Sequence, residues 1–343
     1  MTRSQNLKFC ILNFEGLTQG CGKAPLWVLY GSLYPLFGTG HETGIEQAAE
    51  HDRIYANETS LEIKITFMKE NRPSATAQRV AMRRAVHQLL DDPKVFDDPF
   101  ALRIIGKESA SALETNPGQF ETMPLSPYLR AFVTARSRYA EDELAHGVRR
   151  GVSQYVILGA GLETFAYRNP HPEGVLHGFE VDPPTTQTWK RERLEEIGIA
   201  LPGHLTFAPV DFETQTLVEG LRGAGYDPGK CTFFSWLGVA EYLTTEAVMA
   251  TLRFIASAQV GSGVVFDYMI SPSLLNSAQR ARFDALAQRV ASVGEPWQAF
   301  FDPRLLTRDL RAMGFGYVED SGPEEIVYLP SFACRRNPLP RSR

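Results

Sequence analysis

Val156-Ile157-Leu158-Gly159-Ala160-Gly161-Leu162-Glu163-Thr164-Phe165 is the stretch whose reading decides the fold. Its apolar run reads as a strand buried on both faces, and its two glycines let the backbone turn sharply against a ligand at the start of a following helix. Phe179-Glu180-Val181-Asp182 follows at the spacing by which a nucleotide-binding β-α-β unit carries an acid to ribose hydroxyls.

Working outward, the chain after Gly151 alternates between two periods. Strands are expected at 154–158, 176–181, 205–210, 232–237, 264–270 and 316–319. Helices are expected between and after them, at 162–168, 184–197, 214–223, 245–258, 273–293 and 303–313. Such alternation gives an α/β fold with a doubly wound, mostly parallel sheet and helices on both faces.

Upstream, residues 76–90 place Val80, Ala81, Ala85, Val86, Leu89 and Leu90 on one helical stripe. Asp91-Asp92-Pro93 and Asp97-Asp98-Pro99 break that helix and start a second through Ile105, with aspartate as N-cap and proline at the first helical position. A third helix is expected from Pro127 to Gly147. Residues 71–150 therefore form an N-terminal helical cap, and 151–335 the ligand-binding domain. Residues 1–70 show no sustained period and read as a poorly ordered or loosely docked extension, with Met68 a plausible natural start.

A formal net charge of −5 gives no reason to expect nucleic acid as a partner. The most apolar early segment, Leu26 to Phe37, is too short for a membrane span. Four widely separated cysteines form no CxxC pair, so neither a zinc site nor a disulfide framework is indicated, and a cytoplasmic location fits best. No metal site is expected.

In an open α/β sheet the ligand lies beyond the carboxyl ends of the strands. Gly159 and Gly161 follow the first strand, Glu180 and Asp182 end the second, and Asp211-Phe212 follow the third, where a carboxylate can accept from an exocyclic amine and a ring can cover adenine. Each has a plainer reading: glycines ease packing, and Asp182 or Asp211 caps a helix. Their convergence in the order needed to line one crevice favours a ligand site. A nicotinamide fingerprint wants a third glycine where this chain has Thr164, which favours an adenosine-plus-amino-acid ligand over a dinucleotide.

Six motifs appear in one order: Phe96-Asp97-Asp98-Pro99-Phe100-Ala101, Ala135-Arg136-Ser137-Arg138-Tyr139, Val156 to Arg168, Glu180-Val181-Asp182-Pro183, Val210-Asp211-Phe212 and Trp236 to Leu243. In this the chain resembles class I S-adenosylmethionine-dependent methyltransferases of the leucine carboxyl methyltransferase type, from about residue 75 to 325. The resemblance implies a Rossmann-like sheet of seven strands, the seventh antiparallel beside the fifth, of which the short C-terminus at 325–334 supplies only a fragment. It implies S-adenosyl-L-methionine as cofactor, with Arg136 pairing the methionine carboxylate, Gly159 and Gly161 lining the amino-acid portion, Asp182 on the ribose, and Asp211 and Phe212 at adenine. It departs from the family at Leu237, where relatives often carry glutamate; Glu241 lies nearby but out of register.

The function so implied is O-methyl transfer to a carboxylate or hydroxyl of a small, partly apolar metabolite. The acceptor would be recognised by the cap and by residues 271–297, with Phe283, Trp297, Phe300 and Phe301 as apolar cover or as core. None of the seven histidines falls in a motif that marks a base, so the catalytic residue stays unassigned. The competing readings are an NAD(P)-dependent oxidoreductase and a catalytically inactive cofactor-binding interaction protein.

Overall fold

The computed structural model describes residues 8–13, 75–121, 126–210, 215–292 and 294–321. Its strands are β1 (Lys8–Asn13), β2 (Gln154–Leu158), β3 (His177–Asp182), β4 (Leu205–Pro209), β5 (Thr232–Trp236), β6 (Gly263–Ile270), the short β7 (Phe300–Phe301) and β8 (Tyr317–Ser321). They lie in the order β4-β3-β2-β5-β6-β1-β8, with β7 on β6. Every pairing is parallel. From residue 154 onward the chain supplies six strands to the main path, not seven. The place between β6 and β8 is held by β1, which runs parallel to both. Backbone pairing on both sides leaves neither neighbour an open edge there. Residues 325–334, and the rest of the first seventy, lie outside the described residues.

The helices are α1 (Ala75–Leu90), α2 (Ala101–Ile104), α3 (Lys107–Thr115), α4 (Ser126–Val148), α5 (Pro184–Glu196), α6 (Leu217–Gly223), α7 (Thr245–Ala256), α8 (Ser277–Ser292) and α9 (Pro303–Met313). Successive side chains of a strand face opposite ways, and the core divides accordingly. Val156, Leu158, Phe234 and Trp236 pack with Leu221, Leu252 and Leu310 on one face. Tyr155, Ile157 and Phe233 pack with Tyr139 and Leu144 of α4 on the other. A third cluster joins Ala81, Ala85 and Val86 of α1 to Ile104, Leu113, Leu162 and Leu194, seating the cap over the start of the domain.

One helix is missing where the sequence calls for it. After Gly161 the chain makes only a single 3-10 turn, Phe165–Tyr167. Its polar groups are claimed elsewhere: Glu163 Oε1 accepts from the Thr164 N–H at 2.7 Å, and the Thr164 hydroxyl donates to buried Asp98 at 2.7 Å. Phe165 sits edge-on to Tyr155 at 5.1 Å. The glycine loop therefore has no helix dipole behind it. The expected aspartate N-cap with proline at the first helical position is not what forms: α2 begins at Ala101 with Phe100 at the cap, and Asp98 accepts from the Phe100 N–H at 3.0 Å ahead of the helix while also serving Thr164.

Strand order reverses between β2 and β5: β3 and β4 extend one way from β2, and β6 the other way from β5. A crevice at such a switch point is where an open parallel sheet binds its ligand.

Candidate active site

The loops leaving β2 and β5 at this switch point open into a cavity of about 410 Å³. Gly159, Ala160 and Gly161 form its floor beside Asp182, while Leu237, Gly238 and Val239 form the facing wall. Gly159 has φ +68°, and a Cβ there would lie 2.3 Å from Val239 Cγ2. At Gly161, φ +44°, a Cβ would lie 2.9 Å from Ala77 Cβ. Both positions need a residue without a side chain because of left-handed backbone and lack of room. A side chain at Gly159 would intrude on space between the two loops.

Asp182 ends β3 at the rim. Its Oδ2 accepts from the Gly161 N–H at 2.6 Å, which fixes the glycine loop to the next strand. Burial raises its pKa, opposed by that N–H and by Lys190. Glu180, two residues earlier on the same face, is a step deeper and does not reach the cavity. It is 0% exposed and its Oε2 accepts from Lys190 Nζ at 2.7 Å beneath α5. Asp211 and Phe212 lie outside the described residues.

Arg136, on α4, lines this cavity and forms a buried ion pair with Asp267 of β6. Asp267 Oδ1 also accepts from the Gly238 N–H at 2.6 Å, so one carboxylate ties α4 to the loop after β5. Gly238 has φ +72°, and a Cβ there would lie 2.7 Å from Arg136 Nη2. The glycine makes room for the guanidinium.

Beyond Arg136 is a second cavity of about 390 Å³, lined by Phe120, Leu129, Phe132, Val133, Tyr268 and Met269 among others. Thr76, Val80, Arg136, Gly238 and Tyr242 line both cavities. Helix α1 is the partition. Ala77, Ala81 and Arg84 face the first cavity, Thr76 and Val80 border both, and Arg79 and Arg83 face the second. These stripes follow the helical period. Of the expected aromatic cover, Trp297 lines the second cavity, Phe283 packs against Trp297 at 5.5 Å, Phe300 lies edge-on to Phe283 at 5.7 Å, and Phe301 belongs to the core.

A buried charge network, which sequence reading missed, holds this arrangement. Arg84 donates to Glu163 Oε2 at 2.7 Å and to the Leu162 carbonyl at 2.5 Å. Arg168 binds Glu141 and approaches Asp98 at 3.6 Å. Burial alone would raise the Glu163 pKa, but Arg84, Arg168 and the Thr164 N–H overcome it and bring it to about 2. The positions of Asp98, Glu163 and Arg168 inside shared motifs were the available signal, and Arg84 carried none.

The first cavity suits a nucleoside carrying an amino acid. Its floor is a side-chain-free backbone cradle, an acid stands at the β3 terminus, and an arginine stands at the opposite wall. The family model for leucine carboxyl methyltransferase matches residues 77–256. Bacillus subtilis (strain 168) YktD, provisionally named an S-adenosyl-L-methionine-dependent methyltransferase, is 32% identical over 292 residues, covering 79% of this chain and 95% of its own. A Mycolicibacterium smegmatis protein with the same provisional name is 30% identical over 282 residues, covering 78% of this chain and 89% of its own. Among solved structures, a DUF574 family protein from Streptomyces avermitilis shares 14% identity at TM-score 0.40 over 68% of this chain and 80% of that one, a likeness too slight to inform the site. The chain belongs to the leucine carboxyl methyltransferase family and is an S-adenosyl-L-methionine-dependent methyltransferase.

Proposed function

We propose that this methyltransferase acts on an oxygen, carboxylate or hydroxyl, of a small and partly apolar metabolite. The observation that carries the reading is the second cavity. It is a half-open recess lined by apolar and polar groups alike, furnished with Arg79 and Arg83, and contiguous with the first along Thr76, Val80, Gly238 and Tyr242. A volume near 390 Å³ matches a metabolite and not a protein surface. The bound cofactor supplies a methyl group already activated on sulfonium sulfur. The chain has to hold the cofactor, align the acceptor and exclude water. Asp182 and the Gly159–Gly161 backbone would hold the nucleoside and amino-acid portions. Arg136, steadied by Asp267, would face the carboxylate, as an arginine fork meets that group well.

Nucleic acid and membrane are not partners in this reading, and a cytoplasmic setting suits the free thiol of Cys231. No helix among the described residues is long and apolar enough to cross a membrane.

Calorimetry with S-adenosylhomocysteine and, separately, NADH tests the cofactor half: the first should bind and the second should not. Arg136→Ala and Asp182→Ala should each weaken S-adenosylhomocysteine at least tenfold, and unchanged affinity in both would remove them from the site. For the acceptor half, the enzyme is incubated with methyl-labelled cofactor and a panel of carboxylic acids, phenols, amines and thiols. Label recovered on nitrogen or sulfur overturns the reading.

A further inference from the structure

Three observations on the second cavity belong together, and they rest on its being the acceptor pocket. The first is charge without a partner. Arg79 and Arg83 stand one turn apart on α1, and among the described residues neither lies within ion-pair distance of a carboxylate. The hydrogen bond Arg83 makes is to the Arg79 carbonyl of its own helix at 3.4 Å. Burial lowers its pKa to about 10, with Glu121 opposing and Arg79 and Arg136 reinforcing the fall, so it stays a cation at neutral pH. A desolvated guanidinium with a second, half-buried one a turn away in the same pocket calls for an anion on the ligand.

The second is an acid with a free oxygen. Glu241 lines this cavity, and its Oε2 is out of solvent and without a hydrogen-bond partner. Its backbone is anchored, since its carbonyl accepts from the Gln298 N–H at 2.7 Å. Around the carboxyl are Asp267 from β6, Arg136 from α4, Tyr242 beside it, and Arg79 and Arg83 across the cavity from α1. Burial raises the Glu241 pKa to about 8, Asp267 pushes the same way and Arg136 opposes.

The third is position. Arg79 and Arg83 face the second cavity alone, so an anion held there is set back from the cofactor. Glu241 sits between Gly238 and Tyr242, both of which line the two cavities, so it adjoins the passage through which a methyl group must pass. An acceptor carboxylate bound to the arginines is thereby kept from the methyl donor, and a second oxygen must be the nucleophile.

We propose that the acceptor is a phenolic acid, with Arg79 and Arg83 holding its carboxylate and Glu241 acting as general base toward its hydroxyl. The phenol O–H bond breaks and its proton passes to Glu241 Oε2. The phenol oxygen bonds to the methyl carbon as the methyl–sulfur bond breaks, its electron pair staying on sulfur, which leaves neutral. A phenol, with a pKa of about 10, lies only about two units above this carboxyl, whereas an aliphatic alcohol lies far beyond its reach. Phe120, Phe132 and Trp297 supply the ring's surroundings.

The test uses full-length protein saturated with S-adenosylhomocysteine, titrated by calorimetry with hydroxyphenyl-alkanoic acids bearing zero to three methylenes. At least one should bind, and its methyl ester should bind at least tenfold more weakly. Arg79→Gln with Arg83→Gln should weaken the acid at least tenfold while leaving S-adenosylhomocysteine affinity within threefold. With methyl-labelled cofactor, the bound acid should give an alkali-stable methyl ether. The wild-type rate should rise about tenfold per pH unit up to about pH 8, because the base must be ionised. Glu241→Gln should lose at least a hundredfold at pH 8 and lose that slope. An alkali-labile methyl ester, Glu241→Gln at the wild-type rate, or no binding by any acid of the panel overturns the proposal. Failure of S-adenosylhomocysteine itself to bind would instead strike the cofactor assignment.

Discussion

Arg84 and Glu163, seventy-nine positions apart, meet at 2.7 Å and bolt the first helix of the cap to the loop that follows β2. Arg84 is 2% exposed and also grips the Leu162 carbonyl, so the cap and the glycine loop share one buried guanidinium. Removing one member of a buried pair typically costs about 3–5 kcal/mol. Arg84→Ala should therefore lower the unfolding free energy by about 3 kcal/mol in urea titration. It should also weaken S-adenosylhomocysteine, since the loop loses its tether. A loss below about 0.5 kcal/mol, as for an ordinary surface substitution, would show that the pair does not hold the cap.

The same network makes a pH prediction. Glu163 has a folded-state pKa of about 2, below its usual 4.5. Its charge then contributes stability that is fully present above about pH 4.5 and is lost as pH falls toward 2. The shift corresponds to at most about 3–4 kcal/mol. Urea midpoints of wild type and Glu163→Gln should converge steadily between pH 5 and pH 3. A gap that stays constant over that range would assign the difference to hydrogen bonding and not to charge.

Glu180 and Lys190 are 0% and 1% exposed and bonded at 2.7 Å, so each neutralises a charge the interior would otherwise reject. Lys190→Met should destabilise by about 3–5 kcal/mol, and adding Glu180→Leu should recover most of it. The double variant should keep S-adenosylhomocysteine affinity within threefold, because Glu180 does not line the cavity. A hundredfold loss in calorimetry would return Glu180 to the ligand site.

Two glycines separate strain from obstruction. Gly159 and Gly151 have φ of +68° and +99°, yet a Cβ meets Val239 Cγ2 at 2.3 Å in the first case and nothing within 4 Å in the second. Both alanine variants should lose about 1–3 kcal/mol from backbone strain. Gly159→Ala should also lose at least thirtyfold in S-adenosylhomocysteine affinity, and Gly151→Ala none. Equal affinities in the two would mean that the loop after β2 does not cradle the ligand.

Local pattern carried much of the architecture. β2 reads correctly because five consecutive buried residues suit a central strand of a parallel sheet. α9 reads to the residue, since Asp302 accepts from the Arg304 and Leu305 N–H groups and Gly314 ends it at φ 108°. The helix expected at 162–168 was misread for an equally physical reason. Its helical spacing is real, but Glu163, Thr164 and Arg168 spend their polar groups on Asp98, Glu141 and Arg84 of the cap. Thr164, which in the sequence only subtracts a glycine, is in the fold a buried tether.

What the sequence by itself determined is the alternation of strand and helix and the placing of glycines and acids at strand ends, because those depend on residues close along the chain. Which acids reach the ligand, and the division of the crevice by α1, depended on tertiary structure. Asp182 reaches the rim and Glu180 does not because of one two-residue step along β3 beneath α5. Arg136 meets Asp267, 131 positions away, only when α4 lies across β6. Charge pairs formed over such distances leave no local trace, since each partner looks alone like a solvated residue.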